Sequence, residues 1–152
     1  MSGPLDGRVA VVTGAGGDVG GAACVLLAER GAAIVAVDRN AAGLRSLQSR
    51  LPEGRQAISV EADVSDEDQV RAYVERATDA FGRIDIFFNN AGIEGSRTGA
   101  WRPIPDLSLQ DFRQILAVNA TGVFLGLKHV IPRMAERGGA IVNTSSIYGI
   151  KG

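Results

Sequence analysis

Cys24 is the only cysteine in 152 residues, so no intrachain disulfide can form, and a reducing compartment is the simpler expectation. Charge of either sign is also missing as an excess. Sixteen Lys and Arg stand against 17 Asp and Glu, with no basic cluster, which argues against nucleic acid or an anionic membrane as partner. Aromatic residues make up only 5% of the chain. No apolar run of 18 residues is read in the sequence, and residues 1–10 have no signal-peptide core, so a cytoplasmic protein is expected. No metal ligand set is expected either. Cys24 lies in an Ala/Val/Leu run and reads as a small core residue.

What is abundant is glycine, 20 residues without a repeat, which suggests many tight turns between strands and helices. Hydrophobic residues are 45% of the chain, and one domain spanning 1–152 is expected. Apolar runs at 8–13, 33–37, 57–62, 84–89 and 140–146 read as strands, the third more polar and so suited to an edge. Helical spacing separates them. Val19, Ala22, Ala23 and Leu26 mark the first helix, stopped by Gly31, and Leu44, Leu47 and Leu51 the second, ended by Pro52. Ser65 opens a third, with Asp68 three residues on and Val70, Val74, Ala77 and Phe81 along one face. Residues 92–106 read as a loop long enough to be functional. Ser108 then caps a long helix with Phe112, Ile115, Asn119, Leu127 and Ile131 near one stripe, ended by Gly138 and Gly139. This β-α alternation predicts an α/β fold, a parallel sheet with right-handed crossovers and helices on both faces. Five strands are followed by only four helices, and strands four and five need cover on both faces, so the expectation is a domain truncated at its C-terminus.

The stretch "VVTGAGGDVG" (11–20) places four glycines within seven positions directly after the first strand. A turn of this kind lets backbone N–H groups approach a phosphate, and the following helix N-terminus adds partial positive charge. The alternative is a tight turn that needs glycine and binds nothing. Against it stands Asp38, which ends the second strand 24 residues after Gly14, where an acid can take both ribose hydroxyls of an adenosine. Asn119 sits mid-helix in "NATG", among poor helix formers and apolar neighbours. A buried Asn there calls for partners, which a local helix distortion with an ordered water would supply; a solvent-facing Asn is the plainer alternative.

These residues carry a resemblance. "TGAGGDVG" resembles the TGxxxGxG turn of the short-chain dehydrogenase/reductase family, and "NNAG" (89–92), "VN" (118–119) and "IVNTSS" (141–146) match further signatures in family order. The resemblance implies a Rossmann-type, doubly wound parallel sheet of strand order 3-2-1-4-5, lacking the family's last helices and strands. It implies an oxidoreductase that moves a hydride between NAD and a secondary alcohol or ketone. Gly14, Gly17, Asp18, Val19 and Gly20 would form the pyrophosphate turn, with Asp38 and Arg39 at the ribose. Asp63 and Val64 would sit at the adenine, and Asn90, Ala91 and Gly92, at the end of strand four, would also bind the cofactor. Asp63 can also be read as a turn residue ahead of the helix. Ser146 matches the family's substrate-binding Ser, and Asn119 its relay Asn.

Asp18 departs from the family, which usually has Gly there. A carboxylate ~4 Å from a phosphate would cost ~1–4 kcal/mol, and turning outward as a helix N-cap would avoid this. Asp38 should repel a 2′-phosphate, and Gly17 is not basic, so NAD is expected over NADP. Arg39 dissents, since it could pair with that phosphate, although it could equally stack on adenine or lie in solvent. The family's catalytic YxxxK is absent. Tyr148 and Lys151 read Y-x-x-K only two residues past Ser146, a spacing that does not fit the role. Lone His129 reads as a surface or packing residue. The resemblance further implies a homo-oligomer acting on a small molecule, a cyclic or aliphatic secondary alcohol or a 3-oxoacyl group, with no nucleic acid or membrane partner. The competing readings are a non-catalytic NAD-binding module and an assembly subunit without a ligand.

Overall fold

The computed structural model describes residues 3–95 and 103–146. Five strands form one parallel sheet in the order β3-β2-β1-β4-β5, the expected doubly wound arrangement. They are β1 (Val9–Thr13), β2 (Ala33–Asp38), β3 (Ala57–Glu61), β4 (Ile86–Asn89) and β5 (Ala140–Asn143). β1 is buried along its whole length and β2 over its middle, as their unbroken β-branched runs require. The polar β3 lies at one edge and β5 at the other. The order reverses between β1 and β4, so their C-terminal ends open a crevice there.

Helix α1 (Asp18–Glu29) follows β1, and α2 (Ala41–Gln48) follows β2. The buried side of α1 is not the expected Val19/Leu26 stripe, since both of those are exposed; it is Gly20, Gly21, Cys24 and Ala28. The reason is proximity. A Cβ on Gly20 would stand 2.2 Å from the Gly14 carbonyl oxygen, so only the smallest face of α1 fits against the turn. Cys24 is a core residue, as read, and burial pushes its thiol pKa up to about 12. In α2, Leu44 and Leu47 are buried in the same layer.

Helix α3 (Glu67–Phe81) buries Val70, Tyr73, Val74 and Ala77, and stops at Gly82 in the left-handed region (φ 71°). Its cap is Asp66 rather than Ser65. The Ser65 hydroxyl is spent on Asp63 Oδ1 at 2.6 Å, so the cap moves one residue on, where Asp66 accepts from the Asp68 and Gln69 N–H groups. The long helix is α4 (Leu109–Leu116), a π-helical segment (Ala117–Gly122) and α5 (Val123–Met134) in continuous succession. Ser108 caps it as expected, accepting from the Asp111 N–H. The stripe read from uniform spacing is corrected: Phe112 and Ile131 are exposed, and Val118, Leu125, Val130 and Met134 are buried instead. The π turn shifts the phase between the two halves. A second correction concerns apolar length. Leu109–Met134 is long and apolar enough to cross a membrane by length and composition, whereas the sequence was read as having no such span. In the fold its buried residues join the core layer that also holds α3 and Phe87 of β4. His129 lies between α5 and α3, with Nε2 3.0 Å from Glu67 Oε1.

At the opposite end of the sheet from the crevice, Asp85 is only 4% exposed. Its carboxylate accepts from Arg83, from Arg8 at 2.8 Å and from the Val9 N–H at 2.9 Å. Burial alone would raise its pKa; the guanidiniums of Arg83 and Arg8 and the Val9 N–H outweigh that and hold the carboxyl below its usual range. A depressed carboxylate contributes stability above its unfolded pKa of about 3.9, and that stability is lost as pH falls through the folded value. Asp85→Asn is expected to cost about 2 kcal/mol at pH 7. The gap from wild type should narrow below about pH 4, measured by urea midpoints across pH. A pH-independent gap would exclude this role.

Candidate nucleotide site

The crevice between β1 and β4 gathers most of the predicted cofactor residues. One cleft is lined by Gly14, Asp38, Arg39, Ala62, Asp63, Val64, Ala91, Gly92, Ile93 and Val118. Gly17, Asp18, Val19 and Gly20 lie beside it, in the turn and the first turn of α1. Asn90 is not among the lining residues and serves the framework described below.

The turn after β1 packs closely against the segment leaving β4. Gly14 has φ +69°, and a Cβ there would also meet the Ala91 Cα at 3.0 Å. Gly17 is the α1 cap, with extended backbone and no side-chain cap bond. The Gly21 N–H donates to the Gly17 carbonyl at 2.9 Å and closes the first helical turn, which leaves Asp18 already inside the helix. The expectation that Asp18 caps α1 is therefore corrected. Asp18 is exposed in the first turn, where its charge still favours the helix dipole.

Asp38 ends β2 with both carboxylate oxygens engaged. Its Oδ2 accepts from the Gly16 N–H at 2.9 Å, and its Oδ1 from the Asn40 N–H at 2.8 Å. Asp63 is the turn residue ahead of α3 that one of its two readings expects. It lines the cleft, and its Oδ1 accepts from the Ser65 N–H at 2.9 Å and from the Ser65 hydroxyl.

The floor is held by a residue to which sequence reasoning assigned no role. The fully buried Thr13 hydroxyl accepts from the Asn90 N–H at 2.9 Å and the Ala91 N–H at 3.1 Å. The Asn90 amide donates back to the Thr13 carbonyl, and the Thr144 hydroxyl donates to Asn90 Oδ1. Three adjacent strand ends are thus pinned together. The available signal was a lone polar residue closing a buried apolar strand.

Asn119 sits within the π-helical segment, so the distortion read from "NATG" is present. It is exposed, the plainer of the two alternatives, and both ends of its side-chain amide bond protein backbone. Its Oδ1 accepts from the Ile93 N–H at 2.8 Å, and its Nδ2 donates to the Ile93 carbonyl at 2.8 Å. This paired contact ties the long helix to the segment leaving β4. Ser146 is exposed, three residues past the end of β5, on the same edge of the sheet. Tyr148 and Lys151 lie outside the described residues, as do residues 96–102 of the loop.

A parallel sheet of this order, with a glycine turn after β1, an acid at the end of β2 and a cleft at the switch point, defines a Rossmann-type protein. The chain belongs to the short chain dehydrogenase family, whose model matches residues 8–152. It is 43% identical to levodione reductase of Leifsonia aquatica, over 95% of this chain and 54% of that protein. It is also 43% identical to cis-4-hydroxycyclohexanecarboxylate dehydrogenase of Sinomonas cyclohexanicum, over 95% and 57%. A crystal structure of NAD+-bound xylitol dehydrogenase superposes with a TM-score of 0.91 at 40% identity, covering 98% of this chain and 56% of that one. The chain spans about half the length of the relatives it matches.

Proposed function

We infer that this chain is the nucleotide-binding part of an NAD-dependent oxidoreductase that interconverts a secondary alcohol and a ketone. The observation that carries the reading is the Asp38 carboxylate, fixed at the mouth of the cleft by the Gly16 and Asn40 N–H groups. The relatives named above, a reductase of levodione and dehydrogenases of cis-4-hydroxycyclohexanecarboxylate and of xylitol by their names, support a small-molecule alcohol or ketone as substrate.

The residues present fit such a cofactor. At Gly14 and Gly20 a Cβ would meet protein backbone, Ala91 Cα at 3.0 Å and the Gly14 oxygen at 2.2 Å respectively, so glycine there sets the shape of the turn, while at the exposed Gly17 a Cβ would meet only the Gly14 oxygen at 3.5 Å, which leaves that backbone open to approach. The turn and the α1 N-terminus would hold the diphosphate, Asp38 the adenosine ribose, and Asp63 with Val64 the adenine. Bound nicotinamide supplies the hydride acceptor or donor. Asn119 would fix the β4 exit through Ile93, and Ser146 would hold the substrate oxygen. The exposed apolar side chains Phe124, Ile131 and Val142 favour a homo-oligomer.

Calorimetric titration tests the cofactor reading. NAD is expected to bind more tightly than NADP, because a 2′-phosphate would meet the Asp38 charge. Asp38→Ala should shrink that preference by about tenfold or more, in line with roughly 1–4 kcal/mol for two like charges near 4 Å. A clear NADP preference in the wild type would overturn the reading. In the same titration Asp18→Gly should keep or improve NAD affinity. It removes a charge near the diphosphate and costs only ~0.3–1 kcal/mol of helix-dipole interaction. A large loss of affinity would mean that Asp18 contacts the ligand.

A further inference from the structure

Behind Asp38 the glycine turn is backed by the first turn of α2, and the two backbones touch. A Cβ on Gly43 would stand 2.5 Å from the Gly16 carbonyl oxygen and 2.9 Å from the Gly16 Cα. On its other side Gly16 is equally confined, since a Cβ there would meet the Asp38 Cγ and Oδ2 at 3.1 Å. Gly16 is therefore held between Gly43 and the Asp38 carboxylate that its own N–H binds. The α2 end of this stack is rigid. Asn40 caps the helix by accepting from the Gly43 N–H at 3.1 Å, and Leu44 and Leu47 anchor it in the core at 4% and 2% exposure.

We propose that Gly43, outside the glycine-rich turn, is a positioning residue for the adenosine half of the cofactor: its bare Cα sets how far the turn sits back and so keeps Asp38 clasped to Gly16. The proposal rests on the nucleotide reading above. The direction of its effect follows from which side yields. A methyl group at 43 cannot be absorbed by α2 without lifting Leu44 and Leu47 out of the core. Ala15 and Gly17 on either side donate to the Val37 and Gly14 carbonyls at 3.1 and 3.2 Å, but the half-buried Gly16 donates its own N–H to Asp38, and it is this peptide that moves instead. Moving it breaks the Gly16–Asp38 hydrogen bond and frees the carboxylate to swing from the ribose. NAD then loses its partner, while NADP loses part of its repulsion. The signature is a narrowed preference, not merely weaker binding.

The experiment is a double-mutant cycle on the whole chain, titrating NAD and NADP into wild type, Gly43→Ala, Asp38→Ala and the double variant. Gly43→Ala should weaken NAD by about tenfold and narrow the NAD/NADP ratio. In the Asp38→Ala background it should leave the ratio unchanged, because coupled residues are non-additive. A parallel loss for both nucleotides, or a narrowing that persists without Asp38, overturns the proposal. Should Gly43→Ala fold poorly, Gly16→Ala is the milder intrusion on the same stack and should also narrow the ratio; an unchanged ratio overturns the proposal. Amide exchange of Gly16 in the ligand-free protein gives a readout independent of binding. It should quicken by about tenfold in Gly43→Ala, as a lost hydrogen bond predicts, and unchanged protection refutes the contact. A wild-type chain that binds neither nucleotide would overturn the site reading and Gly43's role toward a cofactor. The Gly16 exchange would then still report whether Gly43 sets the turn.

Discussion

Gly20→Ala is expected to destabilise the chain by about 3 kcal/mol, the upper end for forced overpacking, and to lower Tm by roughly 10 °C. The same variant should lose about a hundredfold or more in NAD affinity, the scale of effect that a ~1 Å misplacement has at a positioned site. The added Cβ would stand 2.2 Å from the Gly14 oxygen and 3.0 Å from the Ala15 Cα, both backbone on the far side of the turn. Neither is the flexible end of a side chain, so helix and strand must part. Gly17→Ala is the matched control. Its Cβ would meet the Gly14 oxygen at 3.5 Å, an ordinary contact, and its stability change should stay within about 0.5 kcal/mol. Thermal melts and NAD titrations of the two variants check the pair. Equal effects at 17 and 20 would mean that the close approach is not what selects glycine.

A purified 1–152 chain is expected to give no NADH from any secondary alcohol. The sequence holds no Tyr-x-x-x-Lys, and Ser146 and Asn119 do not supply a base. Loss of a general base alone costs ~10²–10⁴-fold in rate. Without a lysine at family spacing, positioning at the nicotinamide ribose is lost as well. The same preparation should self-associate, because apolar side chains stay exposed on α5 and on β5, where Val142 keeps 53% of its surface. An NADH-formation assay and light scattering test the two halves. NADH production that survives Ser146→Ala would refute the catalytic reading, and a monodisperse monomer would refute the exposed-face argument.

The elements legible in the sequence were those whose signal is local. β-branched runs placed β1 and β2, Ser108 announced the long helix, and the glycine turn with Asp38 located the cleft. The misreadings came from pairwise contacts that no periodicity encodes. The helical spacing points to Val19 and Leu26 as the inner face of α1, whereas a backbone approach at Gly20 turns the small residues inward. Ser65 looked like a cap until Asp63 claimed its hydroxyl. Arg83 stands two residues before Asp85, but the Arg8 guanidinium and Val9 N–H that complete its surroundings lie 77 and 76 residues away in the chain, where no local pattern shows them. Asn119 was singled out for the right local reason, a weak helix, but its partner Ile93 is visible only in three dimensions.

The π turn has a bearing on how this chain can vary. Each residue added to or removed from a helix rotates everything beyond it by about 100°. A bulge of one residue is the natural scar of an insertion, and deleting one residue from Ala117–Gly122 would leave a regular α-helix with its hydrogen-bond ladder whole. Such a deletion would be cheap for the helix and would leave Leu125 and Val130 facing the sheet, since the wide turn already absorbs the extra residue, but it would remove the bulge that carries Asn119 to Ile93. Length in this stretch should accordingly be far less free to drift than length in a surface loop, although nothing in the helix's own hydrogen bonding forbids the change.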